Sequence, residues 1–392
     1  MLFGAASGGC VESASHLLKK GVDVNSRSSN GETALSVAVG SGHTAVAKVL
    51  AANRGDLGWT NEDTKETLLH LATGGGYLDM VTWLARMVPD LNAKANCAEY
   101  RATPEETHID GSTIILMGYH SIKYRHLSEM ITPLQLAVIL GLNRIYRVLA
   151  QAGADQSISS CIRRNALDYA ALCGRLEDFL SINRTRGVGI NERDEGGWTA
   201  LHYAAAQGYF PTVRQLIGYE NVDVNALTHR GETALHLVAQ LLHPDDGSGR
   251  DAWLNIWLHL SNISSASAMV KLLLEGGADV KAICSVDGNT ALHIAAMQGN
   301  WPASKILLRY GADANSVNRH GNTPMDLTVA GRAEAHQFGW WNRTAYEKTA
   351  LLLSEASKSE TSKLPESTLT ETENLEVECG SSASFESYVY VS

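Results

Sequence analysis

Hydrophobic residues recur along this chain in short blocks whose spacing predicts pairs of short helices. Between Thr290 and Gly299 the apolar side chains fall on one face of a helix, and a second apolar block follows at Ile306–Leu308. Threonine opens the first block, where its hydroxyl can accept a hydrogen bond from an unpaired backbone N–H. Gly299 and Gly311 close the two blocks, because glycine tolerates the left-handed conformation of a helix C-cap. The pattern predicts a unit of two helices joined by a turn.

This unit returns at an almost constant interval. Its opening position is occupied by a threonine or an equivalent residue at Thr33, Thr67, Thr132, Asn165, Thr199, Thr233, Thr290 and Thr323. Successive positions lie 34, 65, 33, 34, 34, 57 and 33 residues apart, so most intervals equal one period or two. A period near 33 predicts a stacked array that is stabilised by contacts between neighbouring units, and one elongated domain therefore accounts for most of the 392 residues.

Three segments carry the repeated motif most completely: Asn191–Ala226, Gly231–Gln240 and Asp287–Ser316. They resemble the ankyrin-repeat family, whose T-P-L-H-x-A-A, G-x-x-x-V-x-x-L-L and G-A-D-V-N blocks follow in that order. The resemblance covers roughly residues 2–353. It implies an all-α ankyrin-repeat solenoid of about eight to nine helix–turn–helix units with projecting β-turn or hairpin loops.

Two long intervals predict insertions in the array, at about residues 94–130 and 241–265. The first insertion enlarges the turn between two repeats, and its apolar run Ile114–Met117 has the composition of a strand that could fold back as a hairpin. The second insertion lies inside a repeat, where the segment Asp251–Ile263 predicts an extra amphipathic helix.

Aromatic residues make both insertions candidate binding sites. Trp253 and Trp257 in the second insertion are four residues apart and therefore share a helical face. Either they pack the extra helix onto the stack, or they form an exposed clamp for a peptide or a small molecule. Tyr119 and Tyr124 in the first insertion could line part of a pocket together with neighbouring turns.

The ends of the array differ from its interior. Gly4–Asn25 matches only the second half of a repeat, so either residues 1–6 fold as a shortened cap or the chain is a piece of something longer. Residues 354–392 are predicted to form a disordered, acidic Ser/Thr/Glu-rich tail, since eight glutamates and two lysines contribute −6 to the net charge of −10. This tail either solubilises the protein or serves as a phosphorylation or degradation segment.

Composition and charge narrow the possible functions. A net charge of −4 remains for residues 1–353, which disfavours nucleic-acid binding. The six cysteines form no C-x-x-C pair, and we predict no metal site and no cofactor. The sequence has neither an apolar run of membrane-spanning length nor a secretory signal, so we expect no membrane association and a cytoplasmic or nuclear location.

Four histidines share the fourth position of the T-x-L-H block: His70, His202, His236 and His293. Histidine can act as a base or as a metal ligand, but these four lie a full repeat or more apart and cannot share one site. The family resemblance implies a structural role in which each ring hydrogen-bonds to the adjoining repeat. No other catalytic pattern competes, and the protein is predicted not to be an enzyme.

The projecting turns are the predicted partner-binding surface. Alignment of the repeats on Gly31, Gly197, Gly231 and Gly321 selects the turn positions that stacking leaves free to vary: Arg27, Asn30, Arg193, Glu195, Trp198, Leu227, His229, Arg230, Val317, Arg319 and His320. Arginine, tryptophan and histidine are typical of binding hot spots, and several arginines together favour an acidic partner segment. The alternative is that these are ordinary solvated turn residues.

The main functional prediction is a non-enzymatic scaffold or regulatory adaptor that binds another protein through the concave face and the turns. The alternative is an atypical array whose insertions form a small-molecule pocket, with a role in a biosynthetic step. A third possibility is the detached array of a larger multidomain receptor. A fold alone does not choose among these functions.

Overall fold

The computed structural model describes residues 1–96, 130–176, 189–241, 265–337 and 343–358 of the 392-residue chain. Within these ranges the protein is almost entirely helical. The helices are, in chain order, α1 (Leu2–Ser7) and α2 (Val11–Lys19), α3 (Ala34–Gly40) and α4 (Thr44–Ala52), α5 (Leu68–Gly74) and α6 (Leu78–Leu84), α7 (Pro133–Leu140) and α8 (Asn143–Gln151), α9 (Ala166–Leu172), α10 (Ala200–Gln207) and α11 (Phe210–Ile217), α12 (Ala234–Ala239) and α13 (Ser265–Glu275), α14 (Ala291–Met297) and α15 (Trp301–Arg309), and α16 (Pro324–Gln337) and α17 (Arg343–Lys358). They form nine units, and the fifth contributes only its first helix, α9, to the described residues.

The first helix of each internal unit begins where the repeated motif predicts. The side-chain oxygen of the residue before the helix accepts the backbone N–H three residues later at Thr33, Thr67, Thr132, Asn165 and Thr290. In the last unit, the hydroxyl of Thr323 accepts the N–H of Asp326 at 3.3 Å, and the Asp326 carboxylate accepts the Thr323 N–H at 2.9 Å. These bonds satisfy N–H groups that the start of a helix leaves unpaired.

The units stack in two layers, as expected for a solenoid. First helices contact first helices from α1 to α16, and second helices pack against one another from α2 to α4, from α6 to α8 and from α11 to α17. Alanines of the first helices, such as Ala34, Ala137 and Ala204, are fully buried, and their small side chains allow close packing of neighbouring helices. A single hydrophobic cluster runs from Leu2 to Leu353. The predicted all-α solenoid is confirmed.

The first residues of the chain form part of the stack. Helix α1 takes the place of the first helix of a unit and packs against α3. Leu2 is buried and Ala6 is completely enclosed. The first unit is therefore a short helix pair in this structure.

Glycines with a left-handed backbone connect the first and second helices, and side chains of the next unit pack against them. Gly42 has φ +76°, and the ring of Tyr77 from the following unit lies so close that a Cβ atom on Gly42 would be 2.7 Å from Cε1. Gly299 and Gly311, which the sequence predicts to be left-handed, have φ +65° and +91°. Glycine is needed at Gly42 for both its backbone conformation and its missing side chain.

The first insertion begins and ends as a small antiparallel ladder. Strand β1 (Ala95–Asn96) pairs with β2 (Met130–Ile131), and Ala95 lies opposite Ile131. The N–H of Asn96 donates to the carbonyl oxygen of Thr64 at 2.8 Å, which joins the ladder to the preceding turn. The predicted hairpin run Ile114–Met117, together with Tyr119 and Tyr124, lies outside the described residues.

The second insertion begins after α12, at the C-terminal end of a first helix, whereas the first insertion ends just before the N-terminal end of α7. Its predicted extra helix, including Trp253 and Trp257, lies outside the described residues. Leu241, the first residue of this predicted insertion and the last one described before residue 265, accepts a hydrogen bond through its carbonyl oxygen from the side-chain amide of Asn300 at 3.0 Å. At the far end, α17 continues through Lys358, so it includes the first five residues of the predicted tail, and residues 359–392 are not described. Among the described helices, none has the length and apolar character that a membrane span requires.

Candidate partner-binding surface

The turns between units are short hairpins, which we call fingers. In each one a backbone N–H donates across the turn to a carbonyl oxygen four or five residues later, at 2.7–3.0 Å. The seven described donor and acceptor pairs are Ser28 and Glu32, Asn61 and Glu66, Ser160 and Arg164, Asp194 and Trp198, Thr228 and Glu232, Cys284 and Asn289, and Asn318 and Asn322. This bond places corresponding residues of different fingers in a common register.

Backbone hydrogen bonds also join the tips of neighbouring fingers. Glu195 donates to the carbonyl oxygen of Ile162 at 3.1 Å, His229 to Gly196 at 2.8 Å, Ser285 to Arg230 at 2.9 Å, and Arg319 to Asp287 at 2.9 Å. Five fingers, from the one at Ser160 to the one at Asn318, therefore form a continuous edge along the array. Their backbones are held in place, while side chains between the bonds project outward.

The structure places all of the predicted partner-binding residues on these fingers. Ten are exposed: Arg27, Asn30, Arg193, Glu195, Leu227, His229, Arg230, Val317, Arg319 and His320. Trp198 is half-buried. The residues form two groups, because Arg27 and Asn30 lie on the first finger and the other nine lie on fingers of the C-terminal half. That these residues bind a partner remains a prediction.

Alignment on the motif glycines missed the finger that contains Cys284. Its turn is one residue longer than that at Thr228, so Ile283 lies five residues before its glycine, where the predicted residues Leu227 and Val317 lie four before theirs. Ile283 and Val286 on this finger are 60% and 50% exposed, and they extend the candidate surface between the predicted residues on either side. Gly288, with φ +69°, marks the same left-handed position in the sequence and would have identified this finger.

Charges of both signs lie along the fingers. Arg27 forms an ion pair with Glu62 at 2.8 Å, and the Nε atom of Arg230 lies 4.0 Å from Glu232. His320 lies 3.7 Å from the carboxylate of Asp287. Arg27 and Arg230 therefore have acidic neighbours, and the surface of the fingers combines cationic, anionic and apolar groups.

Trp198 belongs to a cluster that links the fifth and sixth units. Its ring centroid is 5.1 Å from that of Tyr203, and the guanidinium carbon of Arg164 lies 4.8 Å from the Tyr203 ring centroid. The Tyr203 hydroxyl donates to the carboxylate of Asp194 and accepts a hydrogen bond from Nε of Arg164 at 2.6 Å. Burial is the main cause that raises the pKa of the Tyr203 hydroxyl. The cluster packs against Trp198 on its finger.

The buried carboxyl group of Asp168 lies near Asp194 and Arg164 of this cluster. Asp168 occupies the position of the motif histidine in the fifth unit and accepts the N–H of Asn165 at 2.9 Å. Burial is the main cause that raises the pKa of Asp168, and the nearby carboxylates of Asp194 and Glu192 add to it, whereas the Asn165 hydrogen bond and Arg164 lower it; together these effects bring the pKa to about 7. The side chain is therefore largely protonated below neutral pH.

The four motif histidines form bridges between units, as the family resemblance implies. In each ring Nδ1 accepts the N–H of the capping threonine, at 3.1–3.3 Å. Their Nε2 atoms lie 3.0–3.2 Å from carbonyl oxygens before the next unit, with the pairs His70 and Ile131, His202 and Ala226, His236 and Asn289, and His293 and Asn322. Burial lowers the pKa of all four, to about 4 for His70 and His202. The predicted structural role is confirmed.

One unit makes the same bridge with a different side chain. Gln135 in α7 accepts the Thr132 N–H at 2.9 Å through its oxygen. Its amide nitrogen donates to the carbonyl oxygens of Ile158 and Arg164 at 2.8 and 3.2 Å. An amide therefore satisfies both ends of the bridge without a titratable group.

A family model of ankyrin repeats matches the chain in three segments, residues 2–95, 178–246 and 258–338. Similar proteins include the B-cell lymphoma 3 protein homolog of Mus musculus, which is 29% identical over 213 residues that cover 50% of this chain and 47% of the relative. The nuclear factor NF-kappa-B p105 subunit of Gallus gallus is 30% identical over 162 residues, which cover 36% of this chain and 16% of the relative. The potassium channel AKT1 of Arabidopsis thaliana is 32% identical over 233 residues, which cover 57% of this chain and 25% of the relative.

A solved structure, the ankyrin repeat domain of Bcl-3, matches with a TM-score of 0.47 and 23% identity over 73% of this chain and 99% of that chain. The present chain spans about half of the length of the first of these relatives, and less of the other two. Proteins named as a nuclear factor subunit and as a potassium channel both match, so the similarity follows the repeat and not one whole-protein activity. Together with the stacked units and their capping and bridging residues, the matched segments show that this chain belongs to the ankyrin-repeat family.

Proposed function

We propose that this protein is a non-enzymatic scaffold or regulatory adaptor that binds another protein along the fingers and the adjoining concave face. The observation that carries the proposal is the continuous finger edge, where backbone bonds fix the turns and eight of the nine predicted residues on these five fingers are exposed. A preorganised edge loses little conformational freedom when a partner binds. The named relatives, which include a nuclear factor subunit, support a regulatory role in the cytoplasm or nucleus.

The chemistry of the edge favours a partner segment that contains both acidic and apolar residues. Arg193, Arg230 and Arg319 are exposed on three fingers of the C-terminal half, and Trp198 lies beside them. Arginine and tryptophan are the residues that most often dominate binding energy at protein interfaces. The acids on the same edge add specificity, because a partner must place its own charges to match both signs.

The positions of the two insertions argue against one small-molecule pocket that both would line. The β1–β2 ladder lies at the start of a first helix, on the finger side of the array. Leu241 follows the end of a first helix, on the opposite side, and two units, those of α9 and α10, lie between α7 and α12 along the stack. A pocket formed jointly would require the insertions to meet across the width of the array, so the scaffold function is favoured.

The experiment compares partners of the full-length protein with those of two charge-matched variants. Proximity labelling and mass spectrometry would identify the partners of the wild type. Arg193→Ser, Arg230→Ser and Arg319→Ser, combined in one chain, should reduce the enrichment of a finger-bound partner at least tenfold. The control combines Arg147→Ser, Arg214→Ser and Arg309→Ser, which remove the same charge from exposed positions on second helices. Partners retained equally by both variants would exclude the fingers as the binding surface.

A further inference from the structure

Three consecutive fingers near the C-terminal end of the array carry exposed aliphatic side chains at one position. Leu227, Ile283 and Val317 each precede the residue whose N–H closes the hairpin, and they are 45%, 60% and 65% exposed. In the other described fingers this position is occupied by Arg27, Thr60, Ser159 and Arg193. We call Leu227, Ile283 and Val317 the aliphatic row.

The row has a fixed spacing. The bond from Ser285 to the carbonyl oxygen of Arg230 joins the first two fingers of the row, and the bond from Arg319 to Asp287 joins the second two. The first helices that follow these fingers, α12, α14 and α16, pack directly on one another. Packed helix axes lie about 8–10 Å apart, so we expect the three side chains to be about 10 Å apart. Single exposed aliphatic residues are common, whereas an aligned set points to an interaction site.

An extended segment with an apolar residue at every third position fits this spacing. In the polyproline II conformation three residues span about 9.3 Å, and every third side chain returns to the same edge of the segment. The ligand of the row should therefore carry three apolar side chains at positions i, i+3 and i+6.

The chain contains such a pattern close to its last residue. Phe385, Tyr388 and Val391 are spaced by three, and they follow a stretch of 26 residues, 359–384, after the end of α17. Fully extended, 26 residues reach about 85 Å. Helix α17 belongs to the unit that directly follows Val317, so the connection is long enough to reach the entire row.

Two arginines on the fingers of the row offer cationic contacts to this acidic segment, beside the carboxylates of Glu232 and Asp287 on the same fingers. Residues 359–392 contain seven glutamates and one lysine, so their net charge is −6. Arg230, whose side chain is 68% exposed, and the exposed Arg319 lie on the first and third fingers of the row. Glu386 follows Phe385 directly and is the acid nearest to the apolar pattern.

We propose that residues 385–391 dock along the aliphatic row of their own chain, with Phe385, Tyr388 and Val391 against Leu227, Ile283 and Val317. The docked segment covers fingers that the proposed partner would use, so it competes with that partner and regulates access to the edge. The docking itself goes beyond the proposed function, because it concerns a contact within one chain and holds whether or not a partner is known.

Photo-cross-linking of the full-length protein tests the contact. The photoreactive amino acid p-benzoylphenylalanine replaces Phe385, and cross-linked peptides are mapped by mass spectrometry after irradiation of dilute protein. Cross-links should connect residue 385 to the fingers at Leu227, Ile283 or Val317 within one chain. Cross-links that lie mainly elsewhere on the array would overturn the proposal, and so would products that link two chains and vanish on dilution.

Two variants and one control make the result specific. Leu227→Ser, Ile283→Ser and Val317→Ser together should lower the yield of finger cross-links at least tenfold, and Tyr388→Ser with Val391→Ser should lower it without a change in the array. The control replaces Val22, Val329 and Leu351 with serine, because these are 38%, 63% and 61% exposed and lie off the fingers. Equal yields in the row variant and the control would overturn the proposal. Such a result would leave the arginine-dependent enrichment of a partner unaffected, so the two proposals fail separately.

Discussion

The Nε2 atom of His70 lies 3.0 Å from the carbonyl oxygen of Ile131, so one imidazole joins the unit before the first insertion to the unit after it. The same ring accepts the N–H of Thr67 at 3.3 Å through Nδ1, and the side chain is completely buried. The bridge crosses 61 residues of sequence and keeps the stack continuous beside the insertion.

Replacement of His70 should therefore destabilise the array by an amount that depends on whether the bridge survives. His70→Ala leaves two buried polar groups unpaired, and we expect the free energy of unfolding to fall by about 1–3 kcal/mol. His70→Gln should cost less than half as much, because Gln135 makes both bonds at the corresponding position. Denaturant unfolding followed by circular dichroism measures the difference, with His229→Gln on an exposed finger as the control. Equal losses for alanine and glutamine would contradict the bridging role.

Asp168 makes stability depend on pH in one direction. Its pKa is about 7 in the folded protein, where burial disfavours the charged form, and about 3.9 in an unfolded chain. Between these values the unfolded chain has released the proton and the folded protein still holds it. Stability therefore falls as the pH rises from about 4 to about 7, by about 1.4 kcal/mol per unit for this group, and changes little above that range.

Asp168→Asn should remove this dependence, because an amide oxygen can still accept the N–H of Asn165. The melting temperature of the variant should be close to that of the wild type at pH 4, should exceed it increasingly up to pH 7, and should keep the advantage at pH 8. Asp326→Asn is the control, since hydrogen bonds from Thr323 lower the pKa of the exposed Asp326 carboxyl in the corresponding position. That variant should lose stability at pH 8 relative to the wild type. A constant difference between Asp168→Asn and the wild type from pH 4 to pH 8 would contradict the buried, protonated carboxyl.

The sequence predicts those features that each unit repeats locally. Thr290, His293 and Gly299 show their roles in a single block, because a capping hydroxyl, a bridging ring and a left-handed glycine each require one residue type at one spacing. The array and its fingers follow from the period in the same way. The exposure of Ile283 was not predicted, because one additional residue in its finger breaks the alignment.

Contacts between units are harder to predict from the sequence. Asn165 and Asp168 indicate a capped helix, but Arg164, Asp194 and Tyr203 come together only when the fifth and sixth units stack. The environment that raises the pKa of Asp168 is therefore absent from the local pattern. In the same way, nothing near Gly42 in the sequence reveals that a tyrosine 35 residues later covers it.

The contact between Gly42 and Tyr77 predicts a steric effect that can be separated from backbone strain. Gly42 and Gly153 both have left-handed backbones, with φ +76° and +98°. A Cβ atom at Gly153 would meet no atom within 4 Å, whereas at Gly42 it would lie 2.7 Å from the Tyr77 ring. Gly153→Ala should therefore cost about 1–2 kcal/mol from backbone conformation alone. Gly42→Ala should cost more, because the ring must also move.

A second substitution should recover the steric part of that cost. Leu142 occupies the position of Tyr77 in the next unit and leaves 3.9 Å between its Cδ2 atom and a Cβ atom on Gly76. Tyr77→Leu should therefore reduce the additional cost of Gly42→Ala to that of Gly153→Ala, although it gives up the 3.4 Å hydrogen bond from the Tyr77 hydroxyl to Gly40. A double-mutant cycle on unfolding free energies measures this coupling directly. If the two changes were additive, the ring would not be what makes glycine necessary at position 42, and its backbone conformation alone would be the reason.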